Sequence, residues 1–236
     1  MTPVSDGRGR ATASPGEVPV TLAEELRARL ARAQAGRSAE VNAVMDRMID
    51  DLRRSSIKRD APAAGDSAPD FTLPDARGGE VALAALLERG PVVLTFYRGG
   101  WCPYCNIALR AYERALPELR ERGAELVAIS PQLPDASLST AERNALTFPV
   151  LSDVGNRVAR EYGLVFAVPD EVIAYYREHR KHDLTAANGP GDWELPVPAT
   201  FVIVPDGTIV LADVDPDYTR RLEPATILEA LPWPTR

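Results

Sequence analysis

Cysteine is almost missing from this 236-residue chain: there are two, and histidine is as scarce, also with two. That poverty argues against a structural zinc site, which wants four ligands, because the histidines lie far along the chain from the cysteines. A lone cysteine pair also suits redox cycling in a reducing compartment better than stapling a fold. No apolar run reaches the length of a membrane span, so no membrane association is predicted. No internal repeat is visible. Residues Met1 to Val20 lack the apolar core of a secretory signal, which points to the cytoplasm. Positive charge is in deficit, with 27 Lys and Arg against 34 Asp and Glu and a net charge of -7. Nucleic acid is therefore not an expected partner. What remains is a chain with 45% hydrophobic residues, enough for one ordinary domain plus an extension.

The two cysteines are not scattered. Val92-Val93-Leu94-Thr95-Phe96 reads as a buried strand, and Gly99-Gly100 breaks it. Trp101-Cys102-Pro103-Tyr104-Cys105 follows, then Ile107, Leu109, Tyr112 and Leu116 at roughly helical spacing. Both thiols are thus predicted where a central strand turns into a helix. Unpaired N–H groups and the positive end of the dipole lie there and stabilise a thiolate, the reactive form. Cysteines in such motifs have pKa values of roughly 3.5–7.5 against about 8.5 for a free thiol. Pro103 suits the first helical position, where its missing N–H costs nothing. Inert packing is the plain alternative, since free cysteine is often buried. A Cys-x-x-Cys beside alternating strands and helices reads as a redox motif.

In chain order, residues 1–20 read as a disordered leader. Residues 21–58 form a helical hairpin extension: Thr21 and Glu24 make a capping box, Gly36 ends the first helix and Ser38 caps the second. The second helix carries an apolar stripe of Val41, Val44, Met45, Met48, Ile49 and Leu52, which either packs on its own domain or makes a homodimer contact. Residues 59–67 read as a linker and 68–233 as the main domain. In that domain two short strands flank Gly78-Gly79, a short helix precedes the central strand, and strands follow at 125–130 and 148–152. Helices are expected near 138–144, 156–162, 170–179 and 224–231. Residues 181–194 read as a long polar loop, and Asp206-Gly207 turns an antiparallel hairpin. The order predicts an α/β fold, a mixed sheet with helices on both faces.

Several of these pieces together carry a resemblance: Ala68-Pro69-Asp70-Phe71-Thr72-Leu73-Pro74, Leu94-Thr95-Phe96-Tyr97-Arg98, Phe148-Pro149-Val150-Leu151-Ser152-Asp153, 158–163, and Ala199-Thr200-Phe201-Val202-Ile203 before Asp206-Gly207. From about Asp66 to Trp233 the chain resembles the thioredoxin superfamily, specifically its alkyl hydroperoxide reductase C/thiol-specific antioxidant branch, the peroxiredoxins. The resemblance implies a thioredoxin-like fold and a thiol peroxidase. It also shows departures. Registered on Phe96-Tyr97, Cys105 falls on the peroxidatic cysteine and Cys102 on a threonine. Arg98 replaces a proline, and Pro198 stands where peroxiredoxins carry an arginine. The Trp-Cys-Pro-Tyr-Cys centre instead resembles thioredoxin and glutaredoxin. In that comparison Pro198 matches their cis-proline, so a cis Val197–Pro198 bond is expected.

The expected catalytic pair is Cys102 and Cys105. Either sulfur fits as the attacking thiolate: thioredoxin logic selects Cys102, peroxiredoxin register selects Cys105. Arg98, Trp101, Tyr104, Pro198 and Trp193 are expected at the rim. Arg98 is either a stand-in for the missing arginine or a solvated strand-end cation, and Trp193 either meets substrate or lids the core. Thr200 reads as a strand residue. His179 and His182 do not make a metal site, and no cofactor is implied. The substrate is a hydroperoxide or a disulfide, with a thioredoxin-like protein as reductant. A thiol–disulfide oxidoreductase without peroxidase activity and a non-catalytic interaction protein are the rival functions.

Overall fold

A computed structural model describes residues 20–232 apart from His182 and Asp192. The expected leader, up to residue 19, lies outside the described residues, as do the second histidine of the pair and the domain's expected last residue, Trp233.

The centre is a five-stranded mixed sheet in the order β5-β4-β3-β8-β9. Strands β3 (Val92–Phe96), β4 (Glu125–Ser130) and β5 (Val150–Ser152) run parallel. Strands β8 (Ala199–Ile203) and β9 (Ile209–Val214) run antiparallel to their neighbours. Every residue of β3 is buried, because both faces of the sheet are covered and a strand so placed is a continuous apolar run. Val92, Leu94 and Phe96 face one apolar layer. Val93 and Tyr97 face the other, which holds the long helix α5 (Pro103–Glu121). Thr95, the one polar residue of β3, lies opposite Thr200 of β8, and the two hydroxyls meet at 3.2 Å. Thr200 is thus a paired strand residue, a buried polar group with its partner supplied.

A small hairpin, β1 (Thr72–Pro74) and β2 (Glu80–Ala82), leads into α4 (Leu83–Leu87) ahead of β3. Between the sheet strands come α6 (Pro134–Arg143), α7 (Arg157–Glu161) and α8 (Asp170–Glu178), and α10 (Pro224–Ala230) closes the chain. Three elements of this domain differ from expectation. The polar stretch 181–194 contains a short helix, α9 (Leu184–Asn188), capped by the Asp183 side chain, which accepts from Thr185 N. Beyond it β7 (Glu194–Pro196) pairs with β6 (Val165–Ala167), both absent from the sequence reading. Their three-residue length leaves no periodicity to detect.

The N-terminal helices α1 (Leu22–Ala35) and α2 (Ala39–Arg54) lie on the α5 side. The Thr21–Glu24 capping box forms. The Glu223 carboxylate adds a second cap from across the molecule, accepting from Leu22 N at 3.3 Å and Ala23 N at 2.7 Å. Leu22 and Leu26 bury in the α5 layer, and so do Met45, Met48 and Ile49 of α2. The apolar stripe of α2 is therefore largely covered by its own chain. A short α3 (Ile57–Asp60) follows, and the next residues run along β9, with Gly65 N bonded to Ile209 O and Ile209 N to Asp66 O. Among the described residues no helix is long and apolar enough to cross a membrane.

Candidate active site

The loop between β3 and α5 is fixed by backbone demands. Gly99 has φ +139°, which an L side chain rarely adopts, and a Cβ on Gly100 would stand 2.0 Å from Thr140 Oγ1. Gly100 N donates to Gln132 Oε1 at 2.7 Å, and its carbonyl accepts from Asn106 Nδ2 at 2.8 Å. The loop therefore delivers Cys102 to the N-cap of α5 with Pro103 directly after it. Cys105 follows at the third helical position. Both cysteines are free thiols, with Cys102 1% and Cys105 0% exposed.

Two arginines serve the sulfurs. Arg221, in the loop between β9 and α10, donates from Nη2 to Cys105 Sγ at 3.0 Å, and its Nη1 is held by Tyr218 O at 2.9 Å. Burial works against a charge on Cys105. A hydrogen bond from the Cys102 thiol, the Arg221 and Arg98 charges and the Arg98 backbone N–H outweigh it, and Cys105 is pushed down to about 5. Cys102 moves the other way, raised by burial, by its bond to Cys105 and by the negative charge there. The two shifts are opposite in sign, so the environment favours negative charge on Cys105 over Cys102.

Arg98 is not a solvated strand-end residue. It is 1% exposed, packs its guanidinium over Trp101 at 5.0 Å and Tyr218 at 4.5 Å, and donates from Nη2 to Tyr176 Oη at 3.1 Å. Burial opposes its charge, but Tyr176, Tyr218 and the two cysteines more than compensate and hold it protonated. Nε and Nη1 have no partner among the described residues.

A cavity of about 130 Å³ lies over Cys102. Its walls include Arg98, Trp101 and Tyr104, as the sequence suggests, together with Tyr176 and Tyr218, which it did not. Arg29 and Arg37 from the N-terminal hairpin complete one side. Cys105 does not line the cavity; it lies within hydrogen-bond reach of the Cys102 thiol. Trp193 is one ring further off: it is buried and stacks on Tyr176 with centroids 6.4 Å apart, beneath Arg177. Tyr176 is what carries its influence to the cavity, edge-on to Trp101 at 5.6 Å.

Pro198 is buried directly before Ala199, the β8 partner of Phe96, so it lies level with the start of the cysteine loop. The expected cis Val197–Pro198 bond does not occur; no described peptide bond is cis. The chain passes from β7 to β8 in only two residues, with Val197 N bonded to Leu164 O at 2.8 Å. That continuous run is met by the trans isomer, which X–Pro bonds favour by about 0.5–1 kcal/mol. His179 ends α8 against the Tyr175 ring. Among the described residues no three His, Cys, Asp or Glu side chains gather as a metal site.

Arg221, Tyr176, Tyr218, Arg29 and Arg37 were not foreseen as site residues. Each comes from an element distant in sequence, and none sits in a local motif that marks it.

Comparison with known proteins matches this architecture. A family profile described as the AhpC/TSA family matches residues 64–212. Rv2521 of Mycobacterium tuberculosis (strain ATCC 25618 / H37Rv), which carries a provisional peroxiredoxin name, is 32% identical over 148 residues, covering 63% of this chain and 82% of that protein. The thiol-disulfide oxidoreductase ResA of Geobacillus kaustophilus is 33% identical over 108 residues, covering 45% of this chain and 61% of its own. The crystal structure of peroxidoxin BcpB from Mycobacterium tuberculosis superposes with a TM-score of 0.57 at 26% identity, covering 72% of this chain and 96% of that one.

Proposed function

The chain belongs to the AhpC/TSA family, and from that premise we propose that Cys105 reduces hydroperoxides while Cys102 closes the cycle as a disulfide. It is a peroxiredoxin-like protein on a thioredoxin-like fold. The observation that carries the assignment of roles is the 3.0 Å bond from Arg221 Nη2 to Cys105 Sγ. It supports a standing thiolate on the sulfur that the peroxiredoxin register also selects.

The chemistry follows in three balanced steps. The Cys105 thiolate attacks the terminal oxygen of the peroxide, the O–O bond breaks, and the alkoxide leaves and takes up a proton. The peroxide is reduced to an alcohol and the sulfur is oxidised to a sulfenic acid. Cys102 then attacks that sulfur, forming the S–S bond and expelling water. A thioredoxin-like dithiol attacks the disulfide and restores both thiols at the expense of its own oxidation. Cys102 faces the cavity, which supports it as the sulfur met by the donor. Arg98 and Arg221 take the place of the arginine missing at position 198.

Mixing reduced protein with hydrogen peroxide or cumene hydroperoxide and following peroxide loss tests the reading. A Cys102→Ser variant is expected to form one sulfenic acid per chain and stop. A second reading, thiol–disulfide exchange without peroxidase activity, draws on the cavity-facing Cys102 and the ResA likeness. Reduction of an insoluble disulfide substrate with no peroxide consumption is its signature. The reading includes a reducing cytoplasm, supported by the lone cysteine pair. It also includes a homodimer through the N-terminal helices, for which light scattering is the check.

A further inference from the structure

The cavity over Cys102 is oddly charged for this protein. The chain as a whole carries -7, yet Arg29, Arg37, Arg98 and Arg180 line this one space and no aspartate or glutamate does. None of the four forms a salt bridge among the described residues. The arginines come from four places: α1, the turn after it, the loop after β3 and the residues just past α8. They converge only in the folded chain.

Arg98 sharpens the point. It is fully buried and charged, and among the described residues its Nε and Nη1 have no partner, nor does the buried hydroxyl of Tyr104, which lines the same cavity. Buried donors are nearly always paired in folded proteins. Three polar atoms without a partner among the described residues, two of them on a cation, belong to residues that line this one cavity, and an acceptor brought there would pair them. That acceptor must be small, since about 130 Å³ holds a few water-sized groups. A negative charge on it suits the lining, which holds four guanidiniums and no carboxylate. It must also sit within reach of Cys102, which forms part of the wall and is hydrogen-bonded to Cys105.

We propose that this cavity is an acid-binding subsite, and that the preferred substrates are hydroperoxides bearing a carboxylate close to the O–O group. The carboxylate accepts from Arg98 and Tyr104, while Arg29 and Arg37 make the N-terminal hairpin a specificity element rather than a structural appendage. This rests on the peroxidase reading: the acid group docks on the arginines, and the peroxide end points to the cysteine pair.

A matched pair of substrates tests it on the full chain. One is 3-hydroperoxy-3-methylbutanoate; the other is its methyl ester, the same peroxide without the charge. The acid is expected to have a KM about ten-fold lower or better, as one charge-assisted interaction provides. Raised salt should narrow that gap, and so should Arg37→Gln and, separately, Arg29→Gln. A purely structural loss in either variant would raise both KM values in step, which overturns their assigned role. Equal KM values for acid and ester in the wild type overturn the subsite while leaving the peroxidase reading intact. Binding of the redox-inert product, 3-hydroxy-3-methylbutanoate, is followed by calorimetry. If it binds and Arg37→Gln weakens it, but no peroxide is consumed, the peroxidase reading and the substrate preference both fall. Absence of binding and of acid preference together removes the proposal.

Discussion

Two aromatic clusters flank the end of β3, and they are built to opposite rules. Phe96, Tyr162 and Phe201 pack with centroids 5.0 to 6.2 Å apart on one face of the sheet. The one polar atom among their side chains, Tyr162 Oη, donates to Pro69 O at 2.9 Å. Trp101, Tyr104, Tyr176 and Tyr218 gather at similar spacings around the cysteines. There two nitrogens of a buried arginine and a buried tyrosine hydroxyl have no partner among the described residues. The first cluster spends its surface on cohesion. The second gives up some cohesion to hold charge and open donors beside sulfur, the kind of local inconsistency that marks a working site. One strand feeds both, through Phe96 on one side and Arg98 just past its end.

The contrast breaks most severely if the sulfurs are dispensable. Cys105→Ser removes the thiolate and is expected to lower peroxide turnover roughly 10³-fold or more, as loss of a nucleophile does elsewhere. Thermal stability should stay near wild type, because serine is close in size. Stopped-flow peroxide consumption beside a melting curve measures both. Normal turnover in that variant would place the chemistry on Cys102 and reverse the roles argued above.

Phe201→Ala probes the other cluster. Phe201 is fully buried between Phe96 and Tyr162, so truncation leaves a cavity and costs about 3–5 kcal/mol of stability. Chemical denaturation should show that loss while the Cys105 titration, read by thiolate absorbance in the folded protein, stays put. A shift in the titration would mean that the two clusters are coupled through β3.

How far these clusters were legible in the sequence follows from how local their causes are. The β3 run, the Gly99-Gly100 break, Pro103 at the helix start and the Thr21–Glu24 box each act within a few residues, and each is where the pattern put it. The fold class rests on such signals. The thiolate's environment does not. Arg221 lies 116 residues from the cysteine it bonds, and no spacing rule connects them. Tyr176 and Tyr218 read only as ordinary aromatics of a helix and a loop. The N-terminal hairpin showed an apolar stripe to be buried, but not that Arg29 and Arg37 would overhang Cys102. The Pro198 bond was expected cis by analogy with thioredoxin, while the short β7–β8 passage in this chain is trans.

Arg221→Gln tests that long-range assignment with a smaller effect. A hydrogen bond to a charged group contributes about 1.5–3 kcal/mol. Removing it stabilises the protonated Cys105, so the titration midpoint climbs from about 5 toward the ordinary cysteine value of about 8.5. The sign is fixed by the charge. Between the old and new midpoints wild type is a thiolate and the variant a thiol, so the variant's peroxide rate falls behind there and recovers at alkaline pH. A parallel pH profile for both proteins would remove Arg221 from the site.

The finest distinction between the clusters is a single hydroxyl. Tyr162 and Tyr104 are both buried, but among the described residues only Tyr162 of the two has a partner for its oxygen. Tyr162→Phe orphans the Pro69 carbonyl and is expected to cost about 1 kcal/mol. Tyr104→Phe removes a buried group that has no partner in the free protein. Its stability should therefore hold or rise, by less than about 1 kcal/mol. The same change should weaken binding of a carboxylate in the cavity, because the hydroxyl then has an acceptor to lose. Opposite signs for stability and for binding in one variant are what a donor held in reserve for a ligand predicts. If Tyr104→Phe instead destabilises the free protein as Tyr162→Phe does, the hydroxyl already has a structural partner and the two clusters obey one rule.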